Sequence, residues 1–254
     1  MIGVFDSGSG GMSVFREIYA LLPEAGYVYY ADNAFCPYGE KSPEEIRERA
    51  RRITGILLSK GCRVIVVACN TATAAAIKTL REEYPDIPFI GMEPAVKPAA
   101  LGTKTGIIGV LATAGTLKGS KYLTTKGRYE DGVEIVERVG EGFVELVEKG
   151  ILDGPEAESV VRRSLQPLID AGADTIVLGC THYPFLLPVM KKTAPDGIRF
   201  IDPAPAVARH LVDVMAEKGI PAADSAGTGV ELISSGDPSS LQRIFEQVKG
   251  GLQR

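Results

Sequence analysis

Short runs of aliphatic and β-branched residues alternate with helix-length amphipathic stretches along almost the whole chain. That alternation limits the fold more than any other feature. Positions 2–5, 27–31, 63–68, 88–91, 106–111, 133–139, 175–179, 199–201 and 229–233 read as strands. Between them the spacing predicts helices over 11–22, 43–60, 71–84, 116–125, 143–149, 155–171, 184–193, 205–218 and 238–248. Pro43 and Pro155 suit first helical turns, and Gly61, Gly150 and Gly172 suit helix stops. Continuously apolar strands are what burial on both faces requires, so the pattern predicts an α/β fold with mainly parallel sheets.

Two proline-rich stretches interrupt the pattern, Glu93-Pro94-Ala95-Val96-Lys97-Pro98 and Asp202-Pro203-Ala204-Pro205. They place a second α/β domain at 95–204, inserted into a first made of 1–94 plus 205–254. The expectation is therefore two similar parallel-sheet domains facing a central cleft, against the alternative of one continuous sheet. With 254 residues, 45% of them apolar, the chain can build a core for either arrangement.

A net charge of −4 argues against nucleic acid or an anionic membrane as partner. No apolar run reaches membrane-spanning length. The opening Met1-Ile2-Gly3-Val4-Phe5 meets Asp6 too soon for a signal peptide, so a soluble cytoplasmic protein is expected. Cys36, Cys62, Cys69 and Cys180 form no CxxC pair, and reduced thiols are expected.

Two of these cysteines share a setting. Val64-Ile65-Val66-Val67-Ala68-Cys69-Asn70-Thr71 and Thr175-Ile176-Val177-Leu178-Gly179-Cys180-Thr181-His182 each run from an apolar strand through a small residue to a cysteine and then to side-chain donors. A thiol at the N-terminus of a following helix has its thiolate favoured by the dipole and free N–H groups. The same N–H groups, with Asn70, Thr71 and Thr181, can bind a carboxylate. A bound carboxylate opposes the thiolate, which makes a neighbouring base useful: Asp6 for Cys69 and His182 for Cys180. Two acid–base groups on opposite faces of one carbon can take a proton from one side and return it from the other. Four other readings compete: buried structural cysteines, a zinc site from Cys69, Cys180 and His182, a hydrolase with one nucleophilic cysteine, and a disulfide switch.

The first strand runs into Asp6-Ser7-Gly8-Ser9-Gly10-Gly11. This nearly matches a dinucleotide-binding GxGxxG, with Asp32 where an acidic ribose ligand would stand. Serine replaces the third glycine, however, and Asp6 puts a carboxylate where a pyrophosphate would dock. No Gly-Lys-Ser/Thr follows, so it is not a P-loop either. The turn instead suits Asp6 and Ser7 aimed at an ammonium group, or either of them capping the helix. Pro37-Tyr38-Gly39 follows the second strand, at the sheet edge where ligands of parallel sheets bind. Cys36 beside it has no matching second cysteine.

Asp-Ser-Gly-x-Gly-Gly at 6–11, Pro-Tyr-Gly at 37–39, Ala-Cys-Asn-Thr-Ala at 68–72 and Gly-Cys-Thr-His-Tyr-Pro at 179–184 together resemble the glutamate racemase family. The resemblance spans the chain in order. It implies cofactor-independent interconversion of L- and D-glutamate for peptidoglycan synthesis, with no metal, by a cytoplasmic homodimer. It also implies Cys69 and Cys180 as the two bases, assisted by Asp6 and His182. Asp6, Ser7, Tyr38, Gly39, Asn70, Thr71, Thr181 and His182 would then line the substrate pocket. Departures are small: Ser9 stands where the family more often has valine, Met12 where leucine is common, and Phe35-Cys36 precede the Pro-Tyr-Gly loop. Glu148 matches a glutamate the family places near its site, but its surroundings diverge, and a surface helix glutamate is the expectation there. The alternatives are a racemase of aspartate or another small acid, or a non-catalytic amino-acid-binding regulator.

Overall fold

The computed structural model describes residues 1–222 and 229–252. The chain divides into two compact units, 1–92 with 204–254 and 93–203. Part of the expected first domain, 223–228 and 253–254, lies outside the described residues.

The first unit is a five-stranded sheet of β1 (Ile2–Asp6), β2 (Gly26–Ala31), β3 (Val64–Val67), β4 (Phe89–Ile90) and β9 (Gly229–Ser234). Their order is β4-β3-β1-β2-β9, and every neighbouring pair is parallel. On one face α2 (Pro43–Ser59) and α3 (Asn70–Glu83) bury Ile46, Ile53, Leu57, Ile77 and Leu80 against Phe5, Val28, Ile65 and Val67. On the other, Phe15 of α1 (Met12–Leu21) packs edge-on to Tyr27 and Tyr29 and meets Phe245 of α11 (Ser239–Leu252). Helix α10 (Ala204–Glu217) belongs to the same unit. β1, β2 and β3 are buried throughout, which is why their sequences read as unbroken apolar runs.

The second unit is a four-stranded parallel sheet in the order β6-β5-β7-β8, built from β5 (Ile107–Ala112), β6 (Glu134–Val139), β7 (Thr175–Gly179) and β8 (Arg199–Ile201). Its helices are α4 (Val96–Gly102), α5 (Ala114–Leu117), α6 (Ser120–Gly127), α7 (Phe143–Lys149), α8 (Gly154–Asp170) and α9 (Leu187–Thr193). β6 lies at an edge and is partly exposed, which accounts for its Glu134 and Glu137.

Three helical stretches differ from the periodicity, two of them for a backbone reason. Helix α4 forms where Pro94 and Pro98 read only as a break. Pro98 sits in its first turn, where a missing N–H breaks no internal bond. The expected helix over 116–125 splits into α5 and α6 around Lys118-Gly119. The stretch after His182 begins as a 3₁₀ turn, Tyr183–Leu186, before α9. An α-helical bond to the carbonyls of Cys180 and Pro184 would need N–H groups from Pro184 and Pro188, which have none. Tyr183 and Leu187 close those turns one residue earlier. Among the described residues no helix is long and apolar enough to cross a membrane.

Candidate active site

In each sheet two neighbouring strands, β1 and β3 in the first unit and β5 and β7 in the second, send the chain off in opposite directions. The first unit goes from β1 to β2 on one side and then returns to β3 on the other. The second goes from β5 to β6 and returns to β7. Ligands of open parallel sheets bind beyond the strand carboxyl ends at this switch point. Asp6 ends β1 and Cys69 follows β3 by two residues; Cys180 directly follows β7.

In the first unit Cys69 is the extended residue capping α3, and its Sγ accepts the Ala72 N–H at 3.4 Å. Its thiol donates to Ser7 Oγ at 3.7 Å, and the Ser7 hydroxyl donates to Asp6 Oδ1 at 3.4 Å. Asp6 therefore reaches Cys69 through a hydroxyl. Its other oxygen, Oδ2, accepts the Gly11 N–H at 2.7 Å, so the same carboxylate also holds the turn before α1. Gly11 is required there: a Cβ would stand 2.6 Å from Tyr29 Oη and 2.7 Å from Asp6 Cβ.

Asn70 begins α3 and is only 3% exposed, yet neither its Oδ1 nor its Nδ2 has a hydrogen-bond partner among the described residues. Leaving buried polar atoms unpaired costs on the order of 1–3 kcal/mol per group, which makes this amide a candidate ligand-binding group. Thr71 is buried beside it.

Tyr38 is buried in the same apolar cluster as Cys69, and its hydroxyl donates to Asp32 Oδ2 at 2.5 Å. Burial, the Asp32 charge and that hydrogen bond all hold the phenol well above its ordinary range. Gly39, half-buried, follows it in a 3₁₀ turn. Asp32, weighed above as a ribose ligand, is engaged by Arg49 and Tyr38. Burial raises its carboxyl, but hydrogen bonds from Arg49, Tyr38 and Ser235 more than offset that and hold it below the usual carboxylate value. Cys62 is buried away from these groups, and burial pushes its thiol up to about 11. Cys36 is half-buried, and all four cysteines are free thiols.

In the second unit Cys180 is buried with its Sγ 3.8 Å from His182 Nδ1. The opposite nitrogen, Nε2, meets Glu148 Oε1 at 2.8 Å. Glu148 is therefore the partner of His182 and not a surface glutamate. Its helix is seated by Phe143, which packs edge-on to Tyr183 with ring centroids 4.9 Å apart. Gly140 makes room for that ring, since a Cβ there would lie 2.5 Å from Tyr183 Oη. Burial pushes the His182 imidazole down, but hydrogen bonds to Cys180 and Glu148 outweigh it and raise it well above the ordinary value. Thr181 is buried between them in sequence.

Each unit thus holds a buried thiol hydrogen-bonded to a group that can pass a proton onward. The model of the Asp/Glu/hydantoin racemase family matches residues 2–211. The chain belongs to this family. It is 47% identical over 244 residues to the glutamate racemase of Stutzerimonas stutzeri, covering 96% of this chain and 92% of that one. A solved glutamate racemase from Escherichia coli, in complex with L-glutamate and the activator UDP-MurNAc-ala, superposes with a TM-score of 0.87 at 34% identity over 97% and 94% of the two chains. One from Francisella tularensis, in complex with D-glutamate, gives 0.83 at 27% identity over 100% and 93%. As a member of the racemase family, and one grouped with its glutamate racemases, the protein is an isomerase.

Within the two thiol hydrogen-bond networks, the sequence left out the Glu148 contact and the mediating position of Ser7. Neither has a periodic signature. Both depend on how a loop packs: Phe143 on Tyr183 in one case, and the tight approach at Gly11 in the other.

Proposed function

We propose that this racemase interconverts L- and D-glutamate without a cofactor, by proton transfer between Cys69 and Cys180. The observation that carries the reading is the matched pair of buried thiols, each beyond a switch-point strand and each hydrogen-bonded to its own helper. One thiol starts as thiolate and takes the α-proton; the other starts protonated and delivers its proton to the opposite face, giving the other enantiomer. The first then holds the proton, so the reverse reaction begins with the roles exchanged. Asp6, through Ser7, assists Cys69, and His182, held by Glu148, assists Cys180. The unpaired amide of Asn70, with Thr71 and Thr181, binds the carboxylate that takes up charge as the proton leaves. Asp6 and Ser7 also receive the substrate ammonium, and the Tyr38-Gly39 segment completes the pocket. The family resemblance supports a homodimer in the cytoplasm supplying D-glutamate for peptidoglycan.

Cys69→Ser and Cys180→Ser, made singly, are each expected to lower racemisation of glutamate at least a thousandfold in both directions, measured by polarimetry. A serine hydroxyl is far too weak an acid to replace a thiol near neutral pH. Full activity in either variant rejects the two-thiol scheme, and preference for aspartate over glutamate in the unmodified enzyme rejects the substrate.

A further inference from the structure

We propose that Arg49, on the middle of α2, is a positioning residue that sets the affinity for substrate by holding the loop from Asp32 to Gly39 at three points. Nε and Nη2 of its guanidinium donate to the two oxygens of Asp32 at 2.9 and 2.6 Å, fixing the start of the loop. Its Cζ lies 3.8 Å from the ring centroid of Phe35, covering the middle. Asp32 in turn accepts the Tyr38 hydroxyl at 2.5 Å, which ties down the far end. The loop between these points is two 3₁₀ turns, Asn33–Phe35 and Tyr38–Glu40, closed by few backbone bonds of its own. Its shape is therefore set from outside.

The planar fork is what makes this possible. A guanidinium can bond both oxygens of a carboxylate in its plane and stack its face on an aromatic ring at the same time. A lysine ammonium keeps the charge and can still pair with Asp32, but it has no plane with which to fit both carboxylate oxygens and lie flat on the ring at once. A loop held in its binding conformation before the substrate arrives loses less freedom on binding, and that gain appears in affinity. Arg49 touches neither thiol's hydrogen-bond network, so the chemical step does not depend on it directly.

This inference rests on the Tyr38-Gly39 segment binding substrate, as proposed above. The test is steady-state kinetics with L- and D-glutamate on three variants. Arg49→Lys should raise KM about tenfold in both directions, the loss of one charged hydrogen bond and the stack, with kcat within about threefold. Arg51→Lys, two positions along the same helix with its fork on exposed Glu83, should leave both constants unchanged. Phe35→Leu removes only the stacked ring, and an exposed cation–π contact predicts a KM rise of about threefold. Should Arg49→Lys fail to fold, Phe35→Leu decides by the same criterion. An unchanged KM in a folded Arg49→Lys, or a loss confined to kcat, overturns the positioning role while leaving the function intact. An unmodified enzyme inactive on glutamate overturns the function, and this inference with it.

Discussion

The two thiols are served by different chemistry. Cys69 reaches a carboxylate through a neutral hydroxyl, whereas Cys180 lies against an imidazole whose far nitrogen meets Glu148. His182 is held above its ordinary value near 6.5 despite burial, because Cys180 and Glu148 favour its charged form. With a folded value above the unfolded one, charged His182 contributes stability that is fully present below about pH 6.5. That contribution is lost as pH rises through the folded value. Glu148→Gln removes the charge that favours imidazolium. It should move the His182 limb of the kcat–pH profile to lower pH, and the alkaline loss of thermal stability should move with it. A profile and a melting curve that both stay in place would show that Glu148 does not tune His182.

At the scale of elements, turns and caps carry the precision that strands do not. Two glycines make the contrast. At Gly11 a methyl group would run into Tyr29, Asp6 and Ala68. Gly55 stands exposed on α2 with nothing within 4 Å of a Cβ built there. Gly11→Ala should destabilise by about 1–3 kcal/mol, as overpacking does, and should impair activity by displacing Asp6. Gly55→Ala should stabilise by about 0.4–1 kcal/mol with activity unchanged. Urea unfolding midpoints and specific activity check both, and a tolerated Gly11→Ala would refute the tight turn. The same contrast explains what could be read in advance. Val64–Val67 and Thr175–Gly179 announce themselves because buried parallel strands must be apolar on both faces. The placement of Cys69 and Cys180 follows from those strands. Helix α4 did not announce itself, because its proline falls where a helix tolerates it. Glu148 looked like any charged helix residue until Phe143 had a ring to pack on.

For the whole molecule, the decisive fact is that one design occurs in each unit: a parallel sheet, a switch point between neighbouring strands and a buried thiol beyond it. A protein needing one nucleophile would have no use for the second. A protein inverting a stereocentre needs two groups that can each be base or acid. The central claim is therefore that protons arrive from a different group than the one that removes them. Incubation of L-glutamate in deuterated water, with both enantiomers isolated after a few per cent conversion, tests it most directly. The account predicts α-deuterium in the D-glutamate formed and none in the remaining L-glutamate, with the mirror result when D-glutamate is the start. Product that keeps its original α-proton, or deuterium entering the recovered substrate as fast as the product, would contradict it.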